Sequence, residues 1–322
     1  MAPTAEVVAL ADEAHLSGEG RKFFYAAKPQ ILGAQEFAGR CVDGRAAPAK
    51  PAGDGAVGCF ARVGGASSIV LYAPADPRLR GSVVESAAHE TLHAAWAQLS
   101  AATQAQLGPL LEVEVAVLPA DDPMRAQIAG SVGTQPQNRP TELFAYVGTQ
   151  VWRDGGLAPQ LEAAYSKVIT DRAALVAVRR GQDSLLAAMR SDIKASSQAA
   201  ANHSAANAQA RAQYEADRSA VESYRQKLQV QVSKLALMSP EQRRQTRLSW
   251  VWWDGTDLPL ALAEGTLGGA AALLARDDAD LRRRDAAIEA AEAAVAGEHA
   301  RDAGQVADLT ALEAQLDPAS AQ

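Results

Sequence analysis

The 322-residue sequence predicts an α+β module, a small β-hairpin or sheet packed with helices, followed by a long α-helical coiled-coil region. Three observations carry this expectation. Most of the Gly and Pro, both Cys and every short β-like run lie before about residue 170, and Ala, Gln, Arg, Asp and Leu dominate after it. Two β-branched runs flank Gly64-Gly65, a hairpin signal just ahead of an Ala-rich helical stretch. Finally, Leu274, Leu281, Ile288, Val295, Leu309 and Leu316 keep a seven-residue spacing, with Asp302 in the missing step.

Each element follows in order. Arg21 to Leu32 is an apolar stretch interrupted by Pro29, and the Ala, Pro, Lys and Gly of Arg45 to Gly55 predict a mobile loop. Val57 to Val63 and Ser68 to Tyr72 are the hairpin strands, the second ended by Pro74 and Pro77. Ser82 and Glu85 have the spacing of a capping box, so a helix is expected from Ser82 to about Leu99. A second helix runs from Ala102 to about Leu118 with Pro109 as a weak point. Pro119 to Pro140 reads as a loop, and Pro140 opens a third helix, Thr141 to Trp152.

Residues 176–238 read as a long helix or coiled coil, in which Val221, Tyr224, Leu228 and Leu235 fit a/d spacing. Ala, Ser and Asn between Ser196 and Ala210 make that seam thin. Residues 239–322 form a C-terminal helical region: Ser239-Pro240 starts a helix, Gly255 to Gly269 is a break, and the heptad helix closes the chain. The simplest architecture is a helix returning on itself as an antiparallel hairpin, or self-association with a second chain.

Composition excludes some functions. The net charge is -7 with acidic and basic residues interspersed, so no chain-wide nucleic-acid footprint is expected. No apolar run approaches the ~20 residues of a membrane span. Met1 to Leu16 carries Glu6, Asp12 and Glu13 and lacks the pattern of a signal peptide, so the sequence as written reads as soluble and cytoplasmic. Cys41 and Cys59, the only cysteines, form either one disulfide or two free thiols, and a bridge requires an oxidising compartment. Phosphate-loop and G-x-S-x-G motifs are absent.

One motif outranks the rest: His89-Glu90-Thr91-Leu92-His93. Residues i and i+4 of a helix share a face, so both imidazoles can reach one metal ion, and Glu90 lies beside them where it can touch a metal-bound water. The competing explanation is a buried helix whose histidines bond to backbone. Zinc needs a third protein ligand. Trp96 and Leu99 stand where a metzincin has Gly and His, and His15, His203 and His299 lie in poor positions, which leaves a carboxylate. Glu142 is favoured, because its E-x-x-A spacing puts small Ala145 one turn along and allows close helix approach. Glu112 and Glu114 compete.

These residues resemble gluzincin-type zinc metallopeptidases, in which an H-E-x-x-H helix is followed by a helix donating Glu. More narrowly, Gly20-Arg21, Phe24-Tyr25, Pro29, Val57-Gly58-Cys59, Asp76-Pro77-Arg78-Leu79, His89 to Ala94 and Glu142 to Thr149 are similar to a group of bacterial metalloprotease-like proteins with a coiled-coil tail. The resemblance spans about residues 18–175. It departs in two places: Tyr146 stands where many gluzincins have Asp, and members of the group often carry an N-terminal membrane segment. With such an anchor the location would be extracytoplasmic.

The resemblance implies a zincin-like hydrolase of a peptide or protein substrate, with Zn2+ on His89, His93 and Glu142 and Glu90 as general base. Tyr146, taken as catalytic, heads the candidate oxyanion donors, followed by Arg139 and Tyr165. The strand before the active-site helix pairs with substrate in zincins, a place Ser68 to Tyr72 occupies here. The alternative is a structural or adaptor coiled-coil protein with an inert or metal-stabilised module. Trp250, Trp252 and Trp253 read as an aromatic plug or an exposed binding surface. Arg179-Arg180, Arg243-Arg244 and Arg282-Arg283-Arg284 read as solvated helix faces.

Overall fold

Capping side chains and prolines set where most helices of this chain begin. A computed structural model describes residues 2–41, 57–63 and 65–317, so the loop expected over 45–55 falls outside the described residues. In chain order the elements are α1 (Ala5–Glu13), α2 (Gly18–Ala26), β1 (Gln30–Leu32), α3 (Ala34–Phe37), β2 (Gly58–Val63), β3 (Ala66–Tyr72), α4 (Arg80–Trp96), α5 (Ala101–Ala116) and α6 (Pro123–Val132). They continue with α7 (Arg139–Gln150), α8 (Pro159–Tyr165), α9 (Arg172–Ala236), α10 (Pro240–Gln245), β4 (Arg247–Val251), β5 (Asp257–Leu262) and α11 (Ala263–Leu316). The described chain is mostly helical, with two small sheets and two very long helices.

The chain divides into two units, one made of residues up to 190 together with those from 307, the other of 191–306. These divisions fall inside α9 and α11, whereas composition divides the sequence at 175 and 238. In the first unit, Thr4, Ser17, Ser100 and Asp122 accept hydrogen bonds from the first-turn amides of α1, α2, α5 and α6. α6 corrects the expected loop over Pro119 to Pro140: an Asp cap followed by proline in the first turn is a helix start. The expected capping box at Ser82 and Glu85 is also corrected. Asp76 caps a short 3-10 turn, Pro77–Leu79, that runs directly into α4, leaving Ser82 inside the helix with its hydroxyl donating to the Leu79 carbonyl at 2.8 Å.

β2 and β3 pair antiparallel as expected, and β1 adds in parallel on the far side of β3, giving the order β1-β3-β2. β3 is therefore the inner strand, its residues 70–72 flanked by β1, which leaves that part of Ser68 to Tyr72 no open edge on which to pair with a substrate. β2 is the outer strand and packs against α4. Fourteen of the 17 residues of α4 are buried, so it is the central helix of the unit, covered by α1, α2, α7, β2 and β3. Phe24, Ile69, Leu71, Leu92, Phe144 and Tyr165 close the core around it. The end of α11 belongs to this unit. Arg78 grips Asp308 with two bonds of 2.7 Å and the Asp76 amide donates to Gln315 at 2.9 Å, fixing the turn that feeds α4.

Within the second unit, α9 and α11 run antiparallel. Arg211 reaches Asp285 and Glu292, Arg284 reaches Asp217, and His203 bonds to Glu298, so the heptad seam is filled within the chain as a hairpin. Val221, Leu228, Ile288 and Val295 are buried along it. The stretch expected as a break after Gly255 contains strand β5, which pairs with β4. Trp252, 1% exposed, and Trp253 both donate their indole N–H to one carboxylate oxygen of Asp277, at 2.6 and 2.7 Å. Trp252 is thus the buried plug, packed with Leu228, Leu267 and Tyr224.

Among the described residues no helix is long and apolar enough to cross a membrane. Cys41 and Cys59 form a disulfide with Cα atoms 5.6 Å apart, tying the turn after α3 to β2. The unreduced protein, unfolded in guanidinium and treated with iodoacetamide, is therefore expected to gain no adduct by intact mass, and two after reduction.

Candidate metal centre

Helices α4 and α7 pack against one another, and their approach is close at Gly148. Ala145 of α7 is fully buried. A Cβ on Gly148 would sit 2.5 Å from Leu92 Cδ1 and 2.7 Å from Tyr165 Cε1, a separation no side chain tolerates. Contacts on one buried carboxylate fix the register along the two axes. The Thr149 hydroxyl donates to Glu85 at 3.0 Å, Gln150 donates to the same oxygen at 3.2 Å, and Arg179 Nη1 lies 3.7 Å from the other.

Given that register, Glu142 in the first turn of α7 faces the two histidines of α4. Its Oε2 lies 3.7 Å from His89 Nε2 and 3.7 Å from His93 Nε2. One ligand atom from each of the three residues lies within 4.8 Å of the others, a group that can hold a metal ion. At 3.7 Å the atoms are too far apart to be hydrogen-bonded. Two ligands on one tetrahedral ion with bonds of about 2.1 Å stand ~3.4 Å apart, close to the separation of the Glu142 oxygen from each imidazole. The donor set of two imidazoles and a carboxylate suits zinc and other divalent transition metals.

The surroundings shift the protonation of both histidines and of Glu90. Burial pulls the His89 imidazolium down, but the carboxylates of Glu142, Glu90 and Glu85 outweigh it and hold its pKa up at about 9. Burial and the charge on His89 press His93 down to about 4. Burial lifts Glu90 to about 7, against the pull of His89 and of the Phe60 backbone amide. Glu90 lies against the outer strand: a Cβ on Gly58 would stand 3.1 Å from its Oε1, so the small residue leaves room for that carboxylate.

The other expected residues fall elsewhere. Tyr146 packs its ring edge-on against His89, with centroids 4.6 Å apart, and its hydroxyl is 2.8 Å from that of Ser131. Burial holds this phenol well above its ordinary range. Tyr165 is fully buried, stacks on Phe144 and donates to the Phe144 carbonyl at 2.9 Å. Arg139 forms a two-pronged pair with Glu112 at 2.7 Å, and Glu114 pairs with Arg153. Arg139, Tyr165, Glu112 and Glu114 are not among the three candidate ligands, whereas Tyr146 touches His89 without being one of them. Trp96 packs on Phe144 in the core.

Two contributors escaped the sequence reading. Glu85 shares the i, i+4, i+8 stripe with His89 and His93, a signal masked by its fit to a capping box. Thr141, one residue before Glu142, places its hydroxyl 2.8 Å from His93 Nδ1. In comparisons with known proteins, no family model, curated protein or solved structure matches the chain. Substituting Gly148→Leu is expected to force α7 from α4 and cost about 3 kcal/mol or more of stability, read by urea denaturation, while Gly148→Ala costs less.

Proposed function

We propose that the chain is a zinc-dependent peptidase, and the observation that carries this reading is the convergence of His89, His93 and Glu142 beside a buried Glu90. His89 Nε2, His93 Nε2 and a Glu142 oxygen would hold the ion, leaving a fourth position for water. Bound there, zinc supplies Lewis acidity and brings the pKa of water from 15.7 toward ~7. Glu90 accepts the proton of the attacking water at its carboxylate and passes it to the leaving amine nitrogen, a role matched to a carboxylate whose affinity for protons is raised by burial. β2, outer in its sheet and touching Glu90 through Gly58, is the strand suited to align an extended peptide. The edge-on contact of Tyr146 with His89 supports a role in orienting that ligand more than one in donating to an oxyanion.

The Cys41–Cys59 bridge favours an extracytoplasmic location over the cytoplasmic one, because such bonds persist where thiols are not kept reduced. The alkylation experiment on protein taken from its native compartment tests this as well.

Glu90→Gln is expected to retain stoichiometric zinc and lose hydrolysis of an unfolded protein by at least ~100-fold. Glu142→Ala is expected to lose zinc, measured by elemental analysis after dialysis. Full zinc in Glu142→Ala would reject the ligand set, and zinc without turnover on a broad peptide set would reassign the centre to a structural role. Protons should compete with the metal. His89 stays protonated up to about 9 in the metal-free chain, and it must lose that proton to bind. Zinc affinity should therefore fall as pH falls, about tenfold per unit between about pH 8 and about pH 5, with about one proton released at pH 7. Calorimetry in buffers of different ionisation enthalpy reads that proton.

A further inference from the structure

We infer that Thr141 is a positioning residue for His93, an inference that rests on the metal centre proposed above. An imidazole that binds a cation through Nε2 must carry its proton on Nδ1, and that proton needs an acceptor to fix the ring. His93 turns Nε2 toward Glu142, at 3.7 Å, and Nδ1 toward the Thr141 hydroxyl, at 2.8 Å. The Thr141 oxygen is therefore the acceptor for the His93 Nδ1–H. A threonine in a helix is restricted to two χ1 wells, which narrows where its oxygen can stand before any metal arrives.

The placement has a second consequence. Thr141 and Glu142 are neighbours in the first turn of α7, so one turn of one helix delivers both a ligand and the support of another ligand. Any slip of α7 along α4 would weaken two of the three metal contacts together. This couples the packing at Gly148 directly to metal affinity.

The test uses the full chain, with zinc alone as the probe, in competition with a chelator. Thr141→Val keeps the shape and removes the acceptor. It is expected to fold with an unchanged circular-dichroism spectrum and to bind zinc about 10- to 100-fold more weakly than wild type. Thr141→Ser, which restores a hydroxyl, should recover most of that loss. In the cobalt-loaded protein the shifted His93 Nδ1–H proton resonance should exchange with water faster in Thr141→Val than in wild type. Should Thr141→Val fail to fold, Thr141→Ala reads the same quantities. Equal zinc affinity and equal proton exchange in the variant and wild type would overturn the Thr141 role while leaving the centre intact. Failure of Thr141→Ser to recover affinity would overturn it too, by assigning the loss to packing. A wild-type chain that takes up no zinc removes the centre itself, and this role with it.

Discussion

A carboxylate can reach two imidazoles on a neighbouring helix only where the two backbones come within reach of a short side chain. In this chain that approach is set by Gly148 on α7 against Leu92 on α4. Close packing alone would allow the helices to slide by a turn. The buried bonds from Thr149 and Gln150 to Glu85 remove that freedom, because each alternative register would leave a carboxylate in the core without partners. The candidate site is thus a by-product of how the core of the first unit closes, and its ligands need little freedom of their own.

The same closure gathers an excess of negative charge. Glu85, Glu90 and Glu142 lie near two imidazoles, and Arg179 approaches Glu85 from outside the α4–α7 pair. The raised proton affinities of His89 and Glu90 are the response of that surplus to low solvent access. A divalent cation relieves it more completely than a proton does, since it brings two charges to the point where the lone pairs converge. Fold and electrostatics therefore favour the same occupant.

Helical periodicity made part of this legible. The four-residue spacing of His89 and His93 fixes a common face whatever surrounds it, and the E-x-x-A spacing around Glu142 indicated a helix able to come close. The heptads of α11 and the glycine turn between β2 and β3 were readable for the same reason, a period tied to geometry. Other features depend on distant partners. Glu85 satisfied a local capping rule, and only the approach of Thr149 shows that its carboxylate faces another helix. The inner position of β3 depends on β1, a three-residue strand too short to carry a pattern. The β4–β5 hairpin was hidden because Pro259 argues against a strand, although Leu258, Leu260 and Leu262 alternate.

The first unit is discontinuous in sequence. Its turn before α4 is held by Asp308 and Gln315, which follow the long excursion of residues 191–306. During synthesis the histidine-bearing helix emerges far ahead of the residues that brace its start, so the loop to be closed is among the longest in the molecule. Docking of the last α11 turns is then a late folding event. Until it happens, the nascent histidine helix begins from a turn in which Arg78 has only Asp76 to hold it.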